Sequence, residues 1–283
     1  MTNTLIALVD GSAYAESVCH HAAWIAKANG WGVKLYHVMP PHEDGGQQDL
    51  SGAIRLGARS RLLEKLSDLD AERAKLAHEH GRAILDDARA LIEADGISVE
   101  TRLRQGDLIE TITAKEDSGE AIVIGKRGET EGVAMQHLGS NLERILRATH
   151  KPVLIANSAF QPVSRVLVAF DGSASAQRAV ERMAQSALFG DLRMVLVTAG
   201  KDTPAVREAL ERAQKTLQDA GRAAEILIRE GEPEAVLAQL TEEDDHELLV
   251  MGAYGHSRVR RLIIGSTTTE MIRSCKVPVL VMR

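Results

Sequence analysis

The chain repeats itself. The apolar run Leu5-Ile6-Ala7-Leu8-Val9, closed by Asp10-Gly11-Ser12, returns as Val166-Leu167-Val168-Ala169-Phe170, closed by Asp171-Gly172-Ser173. Arg104-Gln105-Gly106-Asp107 is matched by Arg229-Glu230-Gly231-Glu232. Ala121-Ile122-Val123-Ile124-Gly125 is matched by Glu247-Leu248-Leu249-Val250-Met251-Gly252 with one residue of slack. Gly139-Ser140 answers to Gly265-Ser266, and Lys151-Pro152-Val153-Leu154 to Val277-Pro278-Val279-Leu280. Blocks that recur in one order imply one structural unit built twice. The 283 residues then divide into two units of ordinary domain size.

The offset between copies is 161 residues at Asp10 and Asp171 but 125 at Gly106 and Gly231, so the first copy holds 36 extra residues. They fall between Pro40 and Gly96, where Gly45-Gly46-Gln47-Gln48 reads as a loop and residues 60–94 as a helix. Leu69, Arg73, Leu76, His80, Ile84, Ala88 and Leu91 stand at spacings of three and four, which predicts a mostly apolar stripe docked on the domain. His80 within it reads as a packed or half-exposed histidine, not a ligand. The turn-rich segment Asn157-Ser158-Ala159-Phe160-Gln161-Pro162 is the seam. The expected organisation is a first domain over 1–157 with a helical insertion over about 41–95, a linker over 158–163, and a second domain over 164–283.

In the second copy strands are predicted over 166–170, 192–198, 223–229, 247–252 and 277–282, with helices over about 174–188, 203–220, 233–243 and 266–274. The strands are rich in Val, Leu and Ile without polar alternation, as parallel strands covered on both faces should be. Each copy is therefore predicted as an α/β domain, a doubly wound, five-stranded parallel sheet with right-handed crossovers.

In such a sheet ligands bind beyond the carboxyl ends of the strands, where the strand order reverses. In the second copy Gly252-Ala253-Tyr254-Gly255 follows strand four, and nine residues later Gly265-Ser266-Thr267 opens the last helix. Glycines let backbone N–H groups turn toward one point with no Cβ in the way, and such amide concavities bind anions. The Ser266 and Thr267 hydroxyls and the free amides of the first helical turn add donors at the positive end of the helix dipole. Together they form a cradle for a polyphosphate. Simpler roles stand beside this one: Ser140 and Ser266 are N-caps wherever Gly-Ser precedes a helix, and Asp10 and Asp171 are turn formers in Asp-Gly-Ser. The upstream glycines and the recurrence at a switch point favour a site without closing the question for the aspartates.

The pattern Gly-x2-Gly-x9-Gly-Ser/Thr, followed by a helix and the Val277-Pro278-Val279-Leu280-Val281 strand, resembles the nucleotide-binding signature of the universal stress protein family. With Asp171 the resemblance covers essentially all of the second copy; the first is similar over strands one, two, four and five. The chain looks like a tandem member, two Rossmann-like, adenine nucleotide-binding domains. The resemblance implies ATP as the ligand, with magnesium or without it, held chiefly in the second domain. There Ala169 would flank the adenine, Val197 would meet its edge through the backbone, and Asp171 would lie near the ribose and phosphates. Met251 and Gly252 would pack under the nucleoside, while Gly255, Gly265, Ser266 and Thr267 would hold phosphates. The corresponding first-copy positions are Leu8, Asp10, Val38, Ile124, Gly125, Gly128, Gly139, Ser140 and Asn141. That copy departs from the pattern: ten residues separate Gly128 from Gly139, and Asn141 replaces a small or hydroxyl residue. Lys126 and Arg127, between its first two glycines, face either phosphate or solvent, and His256 poses the same choice in the second copy.

The resemblance implies a cytoplasmic, nucleotide-responsive stress regulator. Members of the family dimerise through the last strand, so the two copies are expected to form an internal pseudo-dimer, with a homodimer of chains left open. The alternative is a nucleotide-independent interaction or scaffold protein that uses the paired copies and the long helix as its surface. No catalytic residue is assigned: ATP hydrolysis wants a positioned base and metal ions around the phosphates, and each copy offers one aspartate, enough at most for weak turnover. A Walker loop fails, because five residues and not four separate Gly119 from Gly125 and Arg127 takes the hydroxyl position. No Gly-x-Gly-x-x-Gly follows the first strand. Cys19-His20-His21 cannot converge on one metal ion from adjacent helical positions, and His78-Glu79-His80 misses the i, i+4 spacing of a helical zinc pair. Thirty-four basic against 40 acidic residues, net charge −6, and 3% aromatic residues disfavour nucleic acid as a partner. The two cysteines fit a reducing compartment. Apolar runs such as 5–9 and 277–282 are too short for a bilayer, and residues 1–12 read as a first strand rather than a signal peptide.

Overall fold

A computed structural model of the protein describes residues 3–41, 56–128, 140–243, 246–253 and 265–283. The loop expected at Gly45 to Gln48 lies outside them. The first copy runs β1 (Thr4–Leu8), α1 (Ala15–Asn29), β2 (Gly32–Met39), α2 (Leu56–Ala94), β3 (Val99–Gln105), α3 (Leu108–Thr113), β4 (Ile122–Gly125), α4 (Ser140–Ala148) and β5 (Val153–Ala156). The second repeats it as β6 (Arg165–Ala169), α5 (Ala174–Gln185), β7 (Arg193–Ala199), α6 (Pro204–Asp219), β8 (Ala224–Arg229), α7 (Pro233–Glu243), β9 (Leu248–Gly252), α8 (Ser266–Ser274) and β10 (Val279–Met282). Every strand and helix expected in the second copy is present, most within two residues of its predicted ends.

The ten strands form one sheet in the order β3-β2-β1-β4-β5-β10-β9-β6-β7-β8. Within each copy all neighbours are parallel, and the order reverses between β1 and β4 and again between β6 and β9. The copies meet where β5 and β10 pair antiparallel, Leu154 opposite Leu280. The two last strands thus cover each other's edges, which leaves no unpaired central edge. The outer strands β3 and β8 carry Glu100, Arg102 and Arg104, and Glu225 and Arg229, charges that discourage further strand addition. Inner strands such as β1, β4, β6 and β9 are buried along nearly their whole length because helices cover both faces. One apolar layer unites α1, α2, α5 and α6 on one face, and another unites α3, α4, α7 and α8 on the other. Both run unbroken across the junction of the copies.

The inserted helix is longer than expected, and only its C-terminal part docks on the domain. Leu85, Ala88 and Ile92 are buried against the sheet, whereas Leu69 and Leu76 of the predicted stripe are 53% and 58% exposed, and His80 is exposed too. Ile84 and Ala88 of the predicted stripe do pack on the core, and spacing alone does not say where along the helix the docking begins. Gly81 decides it. A Cβ there would stand 2.8 Å from Leu103 Cδ1 and 2.9 Å from His37 Cδ2, so the helix presses against β2 and β3 at a residue that has no side chain. Among the described residues no helix is long and apolar enough to cross a membrane.

Candidate functional site

In the first copy a small cleft of about 110 Å³ opens at the carboxyl ends of β1 and β4. Leu8, Val38 and Ile124 supply apolar wall, while Asp10, Gly125, Gly128 and Asn141 also line it, so the structure gathers most of the residues predicted for this copy in one place. Gly139 lies outside the described residues, and Ser140 opens α4. Gly128 approaches Asp10 closely enough that a Cβ on it would stand 3.2 Å from Oδ2. Gly125 lets the start of α1 close over the strand end, since a Cβ there would come within 2.7 Å of Tyr14 Cβ.

The described part of the second copy repeats the strand-end arrangement. Ala169 is in register with both Val197 and Met251, which puts these three side by side at the strand ends. A Cβ on Gly252 would meet Ser175 Oγ at 3.0 Å and the Ala176 amide at 3.2 Å, the counterpart of Gly125 against Tyr14. Gly265 is the N-cap of α8 and has no side chain to satisfy the amides of the first turn, where Ser266 and Thr267 stand. Thr268 Oγ1 donates to the Gly252 carbonyl at 3.3 Å, tying that helix start to the end of β9. Gly255 and His256 lie outside the described residues.

The turn reading of the aspartates holds in both copies, without excluding a site. Asp10 Oδ1 accepts from the Ser12 amide at 3.0 Å and Asp171 Oδ1 from the Ser173 amide at 2.9 Å. Each Asx turn fixes the carboxylate at the switch point. The residue before each aspartate is anchored as well: His37 Nδ1 donates to the Val9 carbonyl at 2.9 Å, and Thr198 Oγ1 to the Phe170 carbonyl at 2.6 Å.

Sequence reasoning missed several lining residues. Tyr36, not Val38, is the register counterpart of Val197, because Leu8 pairs with Tyr36 as Ala169 pairs with Val197. Both Tyr36 and Val38 line the cleft, as do Tyr14 and Leu108. Counting from the end of each aspartate-bearing strand would have found Tyr36. Asp107 caps α3 through the amides of Ile109 and Glu110 and pairs with Arg144 of α4 at 2.8 Å. The Glu110 amide first, and then Arg144, hold its carboxyl below the ordinary range.

Lys126 is not left to solvent. It lines the cleft, yet its ammonium donates to the Cys275 carbonyl at 3.0 Å, in the other copy. Burial lowers its pKa from the ordinary lysine value. The cleft therefore combines an apolar floor suited to a flat ring, a fixed carboxylate, and two cations, Lys126 and Arg127, at the glycine turn. Among the described residues no group of three or more His, Cys, Asp or Glu is placed to hold a metal ion.

The universal stress protein family matches residues 1–157 and again residues 162–283. A universal stress protein of Synechocystis sp. is 38% identical over 288 aligned residues that span 100% of both chains. Another, from Mycolicibacterium smegmatis, is 24% identical and aligns with 97% of this chain and 95% of its own. Among solved structures, a universal stress protein from Archaeoglobus fulgidus superimposes with a TM-score of 0.71 at 23% identity, covering 100% of this chain and 99% of the other. That likeness carries the fold, and the family match and the Synechocystis relative carry the ancestry. The chain belongs to the universal stress protein family, with two such domains in tandem.

Proposed function

We propose that this protein binds adenine nucleotide, ATP with magnesium or without it, in both copies and chiefly in the second, and acts as a nucleotide-responsive stress regulator in the cytoplasm without dedicated catalysis. The observation that carries the reading is the convergence of Asp10, Gly125, Gly128 and an apolar floor at the carboxyl ends of β1 and β4. The floor takes the base, Asp10 lies at the sugar and phosphate end, and the glycines offer amides to the phosphates. The preference for the second copy is supported by its nine-residue glycine spacing. It is also supported by Lys126, which would have to leave a carbonyl before it could serve a phosphate in the first. The domain limits 1–157 and 164–283, joined by 158–163, are proposed as the two binding units.

Acid extracts of freshly purified protein, run on an anion exchanger, should contain adenine nucleotide, and calorimetric titration of the full chain with ATP should give two unequal steps. Gly128→Val should remove the weaker step with little loss of stability, because a side chain there enters the cleft beside Asp10 and not the core. Two steps unchanged by that substitution would place the site elsewhere. The interaction-protein reading keeps one observation of its own: Leu66, Leu69 and Leu76 are large, apolar and exposed on α2. It requires an extract without nucleotide and no heat on addition of ATP.

A further inference from the structure

Helices α4 and α8, which follow the predicted glycine cradles in the chain, both end at the junction of the copies. Each is closed there by a cation from the other copy. Lys126 Nζ donates to the carbonyl of Cys275, the C-cap of α8, at 3.0 Å. Arg283 Nη1 donates to the carbonyl of Thr149, the residue that follows α4, and also reaches Arg147 O at 3.4 Å. The two arms do not descend from the same position. In the strand register Lys126 corresponds to Ala253, which has no charge to offer, and Arg283 corresponds to Asn157, whose Nδ2 takes the Lys276 carbonyl instead at 2.7 Å. A cation at a helix C-terminus complements the dipole whose positive end faces the phosphates. Lys126 alone also lines the first cleft.

Resting on the nucleotide reading above, we propose that the two sites are negatively coupled through Lys126, which caps the second copy's cradle helix while the first cleft is empty and turns to the phosphates when it fills. The ammonium has one carbonyl where a polyphosphate would offer several charged oxygens, and burial makes it short of solvent. Once it turns away, the end of α8 loses its cation and the second cradle becomes less ordered, so a ligand there must restore that order. Reciprocity requires that a ligand first seated in the second copy hold Lys126 away from the first.

Methyl NMR of the full chain, titrated with magnesium ATP, tests this. The methyls of Ile124 and Met251 occupy equivalent register positions at the ends of β4 and β9 and report one cleft each. Lys126→Met should raise the half-saturation point of both by about fivefold or more, the lower end of ordinary coupling, and Lys126→Arg should restore Met251. Arg283→Ala, which is outside the first cleft, should raise the point of Ile124, and it keeps the idea testable if Lys126→Met fails to fold. If both methyls respond to ATP but Lys126→Met leaves Met251 unmoved, Lys126 is merely a phosphate ligand and the coupling is wrong. A shift of Met251 with Ile124 unmoved makes it a static tie, which overturns the coupling equally. No response of either methyl in the unmodified protein overturns the nucleotide reading itself, and this inference with it.

Discussion

His21 is fully buried on α1, its Nδ1 2.7 Å from the Ser17 carbonyl and 3.2 Å from Ser17 Oγ. The Phe160 ring of the segment joining the copies stands edge-on to it at 4.9 Å and 88°. A carbonyl can only accept, so Nδ1 carries the proton, and Nε2 is buried with no hydrogen-bond partner among the described residues. Protonating Nε2 would place a charge in that dry site. Burial accordingly lowers the imidazole pKa from 6.5 to about 4. The unfolded chain then binds one more proton than the folded one between those values, so the contribution is whole above 6.5 and is lost as the pH falls toward 4. At 1.36 kcal/mol per unit, the full loss is about 3 kcal/mol, and most of it falls between roughly pH 7.5 and pH 4.5. Urea unfolding at those two pH values should show it as the difference between the unmodified protein and His21→Asn, which keeps a donor toward Ser17 O but does not titrate. Carboxylates lose stability in both proteins and cancel. Equal losses in the two would refute the burial argument.

Other outcomes follow from the packing. Gly81→Val should cost about 1–3 kcal/mol in urea unfolding by wedging α2 off β2 and β3, and should expose that helix to limited proteolysis. Leu280→Ala, at the centre of the β5–β10 seam and 4% exposed, should cost about 2–5 kcal/mol and keep a single unfolding transition, because both core layers cross the junction. Neither thiol should react with an aromatic disulfide reagent at mildly alkaline pH until the protein is unfolded. Burial pushes the Cys19 pKa up to about 12 and raises that of Cys275 too.

The element order and most of the first cleft are legible in the sequence because the signals involved are local. A Val/Leu/Ile run such as 166–168 declares a doubly covered strand, and an aspartate after it marks a strand end whatever lies elsewhere. Duplication doubles each signal and exposes the insertion by arithmetic. Sequence reasoning errs where local pattern is degenerate. Helix α2 keeps its apolar spacing along most of its length, and only the closeness of Gly81 to His37 and Leu103 shows that docking begins there, with Ile84, Leu85, Ala88 and Ile92 on the core and Leu69 and Leu76 left outside. Val38 matches Val197 in ending a hydrophobic run, whereas strand register assigns that position to Tyr36.

By itself, then, the amino-acid order determined two α/β units and their strand and helix succession, and it pointed to several residues that line the first copy's cleft, since periodicity and glycine spacing act over a few residues. Only the tertiary structure decided that the copies share one ten-stranded sheet through an antiparallel β5–β10 pair, and that Lys126 reaches a carbonyl 149 positions away. The reason is physical. Contacts of that range depend on how two finished units dock, and a lysine beside a glycine turn has the same local signature whether its charge meets a phosphate, water or the end of a distant helix.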